Sequence, residues 1–206
     1  MKRLTLLAVF AVFITLNGCS QLQSIKSALT DLQRLQFKLN NVNGFRLAGI
    51  DITNKSSVSD FSMMDGLNAL NAYRSNKLPA EFILNLDVKN PNDGSNGSRN
   101  VPATLTGLEF RMLIDNQPTI TGNIAKEFTI PAGGNATTVP ISISLDLYEF
   151  FGKQGYEKLA DLAFAIGGKN GSASRITLDA KPTVKTSLGA ITYPGRINIV
   201  DKSFTN

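Results

Sequence analysis

The chain contains no histidine and no tryptophan, and Cys19 is its only cysteine. The lack of histidine excludes histidine-ligated metal sites and nucleophiles that are activated by an imidazole base. A single thiol cannot form a disulfide within the chain, so stability has to come from packing. These absences remove most common catalytic and metal-binding arrangements, and we expect neither a metal nor a cofactor.

The side chains left for acid and base chemistry are carboxylates. The candidates in and around the predicted strands are Glu109, Asp115, Glu127, Asp146 and Glu149. Most of them fall on the solvent face of the strand alternation, where a carboxylate is ordinarily a solvated surface charge. The sequence therefore predicts a protein that is not an enzyme.

The formal net charge of +5 is modest, and Lys2 and Arg3 contribute two of the positive charges. The chain has no run of basic residues and no interleaving of basic with aromatic residues. We expect no nucleic-acid partner, and a weak attraction to anionic lipid head groups is compatible with the charge.

The N-terminus has the layout of a secretory signal peptide over residues 1–18. A short cationic start is followed by the apolar run from Leu4 to Leu16, and the small residue Gly18 precedes Cys19. A membrane-spanning helix needs about 20 apolar residues, and this run is shorter. The pattern therefore favours an exported chain over a transmembrane helix.

The residues Leu16-Asn17-Gly18-Cys19 resemble the lipobox of bacterial lipoproteins. The resemblance implies cleavage between Gly18 and Cys19, acylation of the thiol, and membrane attachment through the lipid. Ser20 is not the aspartate that retains lipoproteins of enteric bacteria in the inner membrane. The resemblance thus implies an outer-membrane protein that faces the periplasm.

Residues 19–36 are predicted to hold the lipidated cysteine and an amphipathic helical stalk. Leu22, Ile25, Leu29 and Leu32 recur at helical spacing and share one face. Three arrangements are open for this helix: a coiled-coil dimer, packing on its own domain, or a position near the membrane.

Residues 37–206 are predicted to form a single β-sandwich domain. The clearest strand runs from Glu81 to Lys89. Before it, either a pair of strands or one long bent strand is expected, with an irregularity near Gly44. Ser62 and Asp65 have the spacing of a capping box, which predicts a short helix that ends before Pro79, and a second helix is expected over 148–166. Met63 and Met64 are expected to pack in the core, with an adaptable apolar surface as the alternative. Seven or eight short strands favour a mainly β, immunoglobulin- or fibronectin-III-like antiparallel sandwich with one or two peripheral helices.

The strand at Phe82 ends in Asn90-Pro91-Asn92, and an alternating strand with this ending resembles the signature of the type-2 late embryogenesis abundant family, also called the WHy domain. Further similar segments are 115–122, 130–141 and 183–194. The resemblance implies an immunoglobulin-like sandwich and an association with desiccation or envelope stress, with Asn90, Pro91 and Asn92 in a structural role. It brings no catalytic residues, and the segment from Ser56 to Pro79 departs from the plant pattern.

Together these patterns predict a lipid-anchored, non-enzymatic binding or protective module of the cell envelope. The alternative is a carrier that holds a lipid or another apolar ligand between its sheets. Its cavity is predicted to be lined by Phe82, Leu84, Leu86, Phe110, Met112, Ile141 and Ile143. The expected partners are the membrane, through the anchor, and an apolar ligand or an envelope protein.

Overall fold

The computed structural model describes residues 23, 25–186 and 189–205. The predicted signal peptide, its cleavage site at Gly18 and the predicted lipidation site at Cys19 lie outside the described residues.

Two antiparallel sheets pack face to face. The first has the order β2-β1-β3-β7 and consists of β1 (Gln36–Leu47), β2 (Ile50–Asp51), β3 (Pro79–Lys89) and β7 (Ala136–Asp146). The second consists of β4 (Ala103–Ile114), β5 (Gln117–Gly122), β6 (Phe128–Ile130), β8 (Ile176–Thr186), β9 (Gly189–Thr192) and β10 (Ile197–Ile199). Its order is β10-β8-β4-β5, with β6 also paired to β4 and β9 also paired to β8. The prediction of a mainly β sandwich with peripheral helices is confirmed.

The core lies between the sheets because alternate residues of each strand point inward. In β3, Phe82, Leu84 and Leu86 are buried, and each stands opposite a buried residue of β7. The ring of Phe82 also stacks on that of Phe45 in β1, with 5.1 Å between the ring centroids. A single cluster of buried apolar side chains joins both sheets and the helices.

Strand β1 is long and has the irregularity near Gly44 that its sequence predicts, and it pairs with the short strand β2. Its pairing with β3 shifts register between Leu39 and Val42 and again between Asn43 and Arg46. Gly44 lies in the second irregularity with a φ of 61°, a conformation that glycine adopts at little cost.

Four α-helices are described: α1 over 25–33, α2 (Met63–Arg74), α3 (Leu147–Phe151) and α4 (Tyr156–Gly167). The single helix predicted over 148–166 is wrong in one respect, since it is divided into α3 and α4. A short 3-10 turn follows α3, and Gly155 at φ 92° then reverses the chain before α4 begins.

Helix α1 packs on its own domain, which is one of the arrangements left open above. Ala28, Leu32 and Leu35 are buried against the sandwich, whereas Ile25 is largely exposed. Of the described residues of the predicted apolar face, Leu32 is buried, Leu29 is partly buried and Ile25 is exposed. None of the helices in the described ranges is both long enough and apolar enough to cross a membrane.

The sandwich has two distinct ends. At the first, which we call the α1 end, Gln36 pairs with Lys89, and Lys89 pairs with Ala136. At the second, which we call the helical end, Leu47 pairs with Ala80, and Ala80 pairs with Leu145. Helices α2, α3 and α4 gather at the helical end. Strand β1 joins the two ends with 12 residues, which corresponds to at most about 40 Å.

Candidate binding surface at the helical end

Helix α2 begins with the capping box that its sequence predicts. The Oγ atom of Ser62 accepts a hydrogen bond from the backbone N–H of Asp65 at 3.1 Å, and the Asp65 carboxylate accepts one from the backbone N–H of Ser62 at 3.3 Å. These bonds satisfy amide donors that the first turn would otherwise leave free.

The prediction that Met63 and Met64 pack in the core is wrong. Met63 is 86% exposed and Met64 is 64% exposed, and no residue of α2 is fully buried. The reason is that the inward face of α2 is formed by Gly66, Ala69 and Tyr73, which leaves both methionines on the outer side of the first turn.

Aromatic contacts hold α2 near both of its ends. Close to its start, the ring of Phe61 packs on that of Phe164 in α4, with centroids 5.8 Å apart. Near its C-terminus, the Tyr73 ring makes edge contacts with Tyr148 at 5.3 Å and with Tyr156 at 5.5 Å. The middle of α2 therefore lies between two sets of aromatic contacts.

A small apolar cavity lies beneath this middle section. Its volume is about 30 Å³, and small residues of α2 and α4 face each other across it. We call it the α2 slot, and its lining consists of Leu47, Ile50, Ile52, Val58, Phe61, Asp65, Gly66, Ala69, Leu78, Tyr156, Ala160, Ala163 and Phe164. A Cβ atom built on Gly66 would meet nothing within 4 Å. The slot exists because glycine and alanine do not fill the space between the two helices.

Exposed apolar side chains lie at the edge of the slot and on the outer side of α2. Val58 borders the slot and is 53% exposed, and Leu67 of α2 is 48% exposed; with Met63 and Met64 they form what we call the α2 surface. Apolar side chains grouped in this way on one surface commonly mark an interaction site, and methionine adapts its shape to different partners.

The segment that presents Val58 is fixed by polar contacts. The Asp60 carboxylate accepts hydrogen bonds from the backbone N–H groups of Ser56 at 2.7 Å and Ser57 at 3.1 Å, and these bonds lower the pKa of Asp60 from its ordinary value. The Lys55 ammonium donates to the backbone oxygen of Asp60 at 2.7 Å. The backbone N–H of Lys169, just beyond α4, donates to the oxygen of Lys55 at 2.8 Å. The rim of the slot is thus tied to the end of α4.

Asn90 and Asn92 lie at the α1 end and are buried. The Asn90 amide donates to the backbone oxygens of Val101 at 3.0 Å and Ile130 at 3.4 Å. The Asn92 amide donates to the Asp31 backbone oxygen at 3.0 Å and to Asn90 Oδ1 at 2.8 Å. These are the contacts expected of a structural strand end, with Pro91 between the two asparagines. They connect β3 with α1, the start of β4 and β6.

The seven residues of the predicted apolar cavity come together between the sheets. All of them are buried within the common core: Phe82, Leu84, Leu86, Phe110, Met112, Ile141 and Ile143. Three depressions of the described molecule lie elsewhere, namely at the α2 slot, at the α1 end and on the outer face of the first sheet. Phe82 and Ile143 also border the last of these. The cavity between the sheets stays a prediction.

The five candidate carboxylates do not converge on one site. Glu109 is paired with Arg196 at 2.7 Å, and hydrogen bonding from that guanidinium lowers the pKa of Glu109. Asp115 is paired with Arg175. Asp146 caps α3 by accepting from the N–H of Tyr148 at 2.9 Å, and Glu127 and Glu149 are exposed. Within the described ranges, no group of three or more acidic side chains has a metal-binding arrangement.

The α2 slot was not predicted from the sequence. Gly66 and Ala69 are spaced by three residues, as are Ala160 and Ala163, and this spacing places each pair on one helical face. These two pairs of small residues are the sequence feature that corresponds to the slot. They line one cavity only because α2 packs beside α4, which the sequence pattern does not predict.

The described residues form a two-sheet antiparallel sandwich with exposed apolar side chains at its helical end. No known protein family matches the chain, and no curated protein matches it. Among solved structures, it is similar to a protein from Archaeoglobus fulgidus, with 13% sequence identity and a TM-score of 0.35 over 82% of this chain and 94% of that one.

Proposed function

We propose that this protein is a lipid-anchored, non-enzymatic binding module of the bacterial cell envelope, and that it captures an apolar side chain of an envelope protein at the α2 surface. The observation that carries the proposal is the exposure of Met63, Met64 and Leu67 on α2 and of Val58 at the edge of the α2 slot. Burial of one such side chain is worth about 1.5–3 kcal/mol, so a partner that covers the surface gains substantially.

The size of the slot favours a protein partner over a carried lipid. Ligand sites for whole small molecules have volumes of about 300–1,000 Å³. The α2 slot, at about 30 Å³, has room for the tip of one apolar side chain. An apolar group that enters the slot would be held between α2 and α4 while the exposed methionines adapt around it.

The orientation of the surface supports capture of a partner away from the anchoring membrane. Helix α1 lies at the opposite end of the sandwich, and the chain before it leads toward Cys19. With acylated Cys19 in the outer membrane, the α2 surface points into the periplasm. Loss of palmitate labelling in a Cys19→Ala variant is the expected sign of that anchor, and retained labelling would refute it.

We also propose membership of the WHy domain family and a role in envelope stress. The support for this is the buried hydrogen bonding of Asn90 and Asn92 at the end of β3, within an antiparallel sandwich.

The test of apolar capture uses a chain that begins at Ser20, which retains every side chain of the described core. Nile red fluorescence measures the binding of an apolar probe. Gly66→Leu fills the slot, and Met63→Gln with Met64→Gln removes two exposed apolar side chains of the α2 surface. We expect each variant to weaken probe binding about tenfold, which corresponds to the loss of about 1.4 kcal/mol of apolar contact.

The matched control is Ile25→Gln, which removes an apolar side chain of α1 that is 46% exposed and borders none of the three depressions. This variant should bind the probe like the parent chain. Equal loss in the control, or unchanged binding in both α2 variants, would contradict the proposal.

The alternative is a carrier that holds a lipid between the sheets. It predicts co-purification of about one equivalent of lipid, released when Leu86 is replaced by Trp. Lipid-free protein that still binds Nile red through the α2 surface would favour the binding module.

A further inference from the structure

A second depression lies at the α1 end, opposite the α2 surface. Its volume is about 250 Å³, far larger than that of the α2 slot. We call it the α1 pocket, and the residues that matter for its chemistry are Ala28, Asp31, Leu32, Asn92, Arg99 and Lys185. Its walls are contributed by α1, by the segment between β3 and β4, and by the end of β8.

The α1 pocket carries one fixed carboxylate. The Asp31 side chain is nearly buried and accepts a hydrogen bond from Arg99 Nε at 2.6 Å. The backbone N–H of Arg99 donates to the other carboxylate oxygen at 3.4 Å. The carboxylate retains further lone pairs with which it can accept hydrogen bonds from a ligand.

Two cationic groups accompany this carboxylate. The Arg99 side chain is 45% exposed, and its two terminal nitrogens form no ion pair or hydrogen bond with any residue the structure describes. Lys185 is exposed, and its ammonium is likewise without such a partner across the described ranges. The pocket therefore presents two groups suited to a phosphate beside one group suited to an ammonium.

We infer that the α1 pocket binds a phosphoethanolamine headgroup of a membrane lipid, with the phosphate at Lys185 and Arg99 and the ammonium at Asp31. A zwitterion with these two charges is complementary to both halves of the pocket. A choline headgroup has the same charges, but its methylated nitrogen has no hydrogen to donate to Asp31. A glycerol headgroup has the phosphate and hydroxyl donors without the positive charge.

The position of the pocket supports a lipid as the source of the headgroup, and this step rests on the proposed anchor at Cys19. Cys19 precedes Ala28 in the pocket wall by nine residues, a stretch that reaches at most about 30 Å. A domain anchored in this way keeps its α1 end close to the headgroup layer. Binding there would orient the α2 surface away from the membrane.

The test uses water-soluble dihexanoyl lipids and the chain that begins at Ser20, so it does not depend on acylation of Cys19. Affinities are measured by calorimetry for dihexanoyl phosphatidylethanolamine, phosphatidylcholine and phosphatidylglycerol, and for inorganic phosphate. We expect the ethanolamine lipid to bind about tenfold more tightly than each of the others. Binding of the acyl chains to the α2 surface would be equal for all three lipids.

Two variants separate the two halves of the pocket. Lys185→Gln should weaken binding of the ethanolamine lipid about tenfold, whereas Lys181→Gln on the same face of β8 should leave it unchanged. Asp31→Asn should abolish the preference for ethanolamine over choline. Because Lys185 is exposed, its variant remains informative if Asp31→Asn fails to fold.

Equal affinity for the ethanolamine and choline lipids would overturn the inference, as would unchanged binding in Lys185→Gln. Phosphate that binds as tightly as the ethanolamine lipid would show a plain anion site and would also overturn it. Failure of the proposed function would be measured in a different experiment, as the absence of Nile red binding at the α2 surface of the parent chain.

Discussion

The two ends of the sandwich are built from different kinds of contact. At the α1 end, buried amide groups of Asn90 and Asn92 and the Asp31–Arg99 ion pair join three separate segments. At the helical end, aromatic rings and small side chains join α2 to α4. Directional polar bonds fix the first end because buried polar groups require partners. Apolar contacts are not directional, and at the helical end they leave the α2 slot partly unfilled.

At the helical end, packing differs most clearly between two helical glycines, Gly66 in α2 and Gly167 in α4. A Cβ atom on Gly167 would lie 2.1 Å from the Phe45 ring, whereas one on Gly66 would meet nothing within 4 Å. Gly167→Ala should therefore lower the free energy of unfolding by about 3 kcal/mol through overpacking. Gly66→Ala should raise it by about 0.5–1 kcal/mol, because alanine favours the helix. Urea unfolding of both variants measures the two values.

The opposite signs of these two changes in the free energy of unfolding distinguish an open slot at Gly66 from the filled space at Gly167. A destabilising effect of Gly66→Ala similar to that of Gly167→Ala would mean that α2 packs as tightly as α4. The α2 slot would then not exist in solution.

The second prediction concerns the α1 end. Replacement of Asn90 and Asn92 by Ala leaves the backbone oxygens of Val101 and Asp31 without their donors. We expect the free energy of unfolding to fall by about 1–3 kcal/mol, in line with the loss of buried hydrogen bonds. Asn43→Ala, at an exposed position of β1, is the control and should change it by less than about 0.5 kcal/mol. An unchanged melting temperature with lost partner binding would make this loop a functional site.

The third and smallest effect is expected on the outer face of the second sheet, away from both ends. Arg196 donates to Asp179 at 2.9 Å and to Glu109 at 2.7 Å. Burial alone would raise the pKa of Asp179, but hydrogen bonds from Arg111 and Arg196 outweigh it and lower that pKa. The pKa of Glu109 is lowered as well, by its hydrogen bond with Arg196.

Carboxylates with lowered pKa stabilise the folded state above their unfolded pKa, near pH 4, and this stabilisation is lost as the pH falls through the folded pKa. Arg196→Gln should therefore cost about 1 kcal/mol at pH 7 for the pair with Asp179. The difference from the parent chain should shrink as the pH falls through the folded pKa, leaving the part due to the hydrogen bond that Arg196 donates to the Asp179 backbone oxygen at 2.8 Å. Urea unfolding across this pH range measures this. Lys77→Gln should show no such pH dependence, and a difference for Arg196→Gln that keeps its full size at low pH would exclude an ionic origin.

Local patterns predicted much of this fold. The alternation in β3, the capping box of Ser62 and Asp65, and the irregular backbone at Gly44 all depend on residues close in sequence. The exposure of Met63 and Met64 could not be predicted in this way, because it depends on which face of α2 meets α4. The α1 pocket was missed for the same reason, since Asp31, Arg99 and Lys185 come from three distant segments.

The most direct test of the central claim is the NMR signal of the methionine methyl groups in the chain that begins at Ser20. Met63 and Met64 lie on the α2 surface, and Met112 lies between the sheets. When decanol is added, we expect concentration-dependent shifts of the Met63 and Met64 methyl signals and an unchanged signal from Met112. A shift of the Met112 signal with Met63 and Met64 unaffected would refute binding at the α2 surface and place the apolar ligand between the sheets.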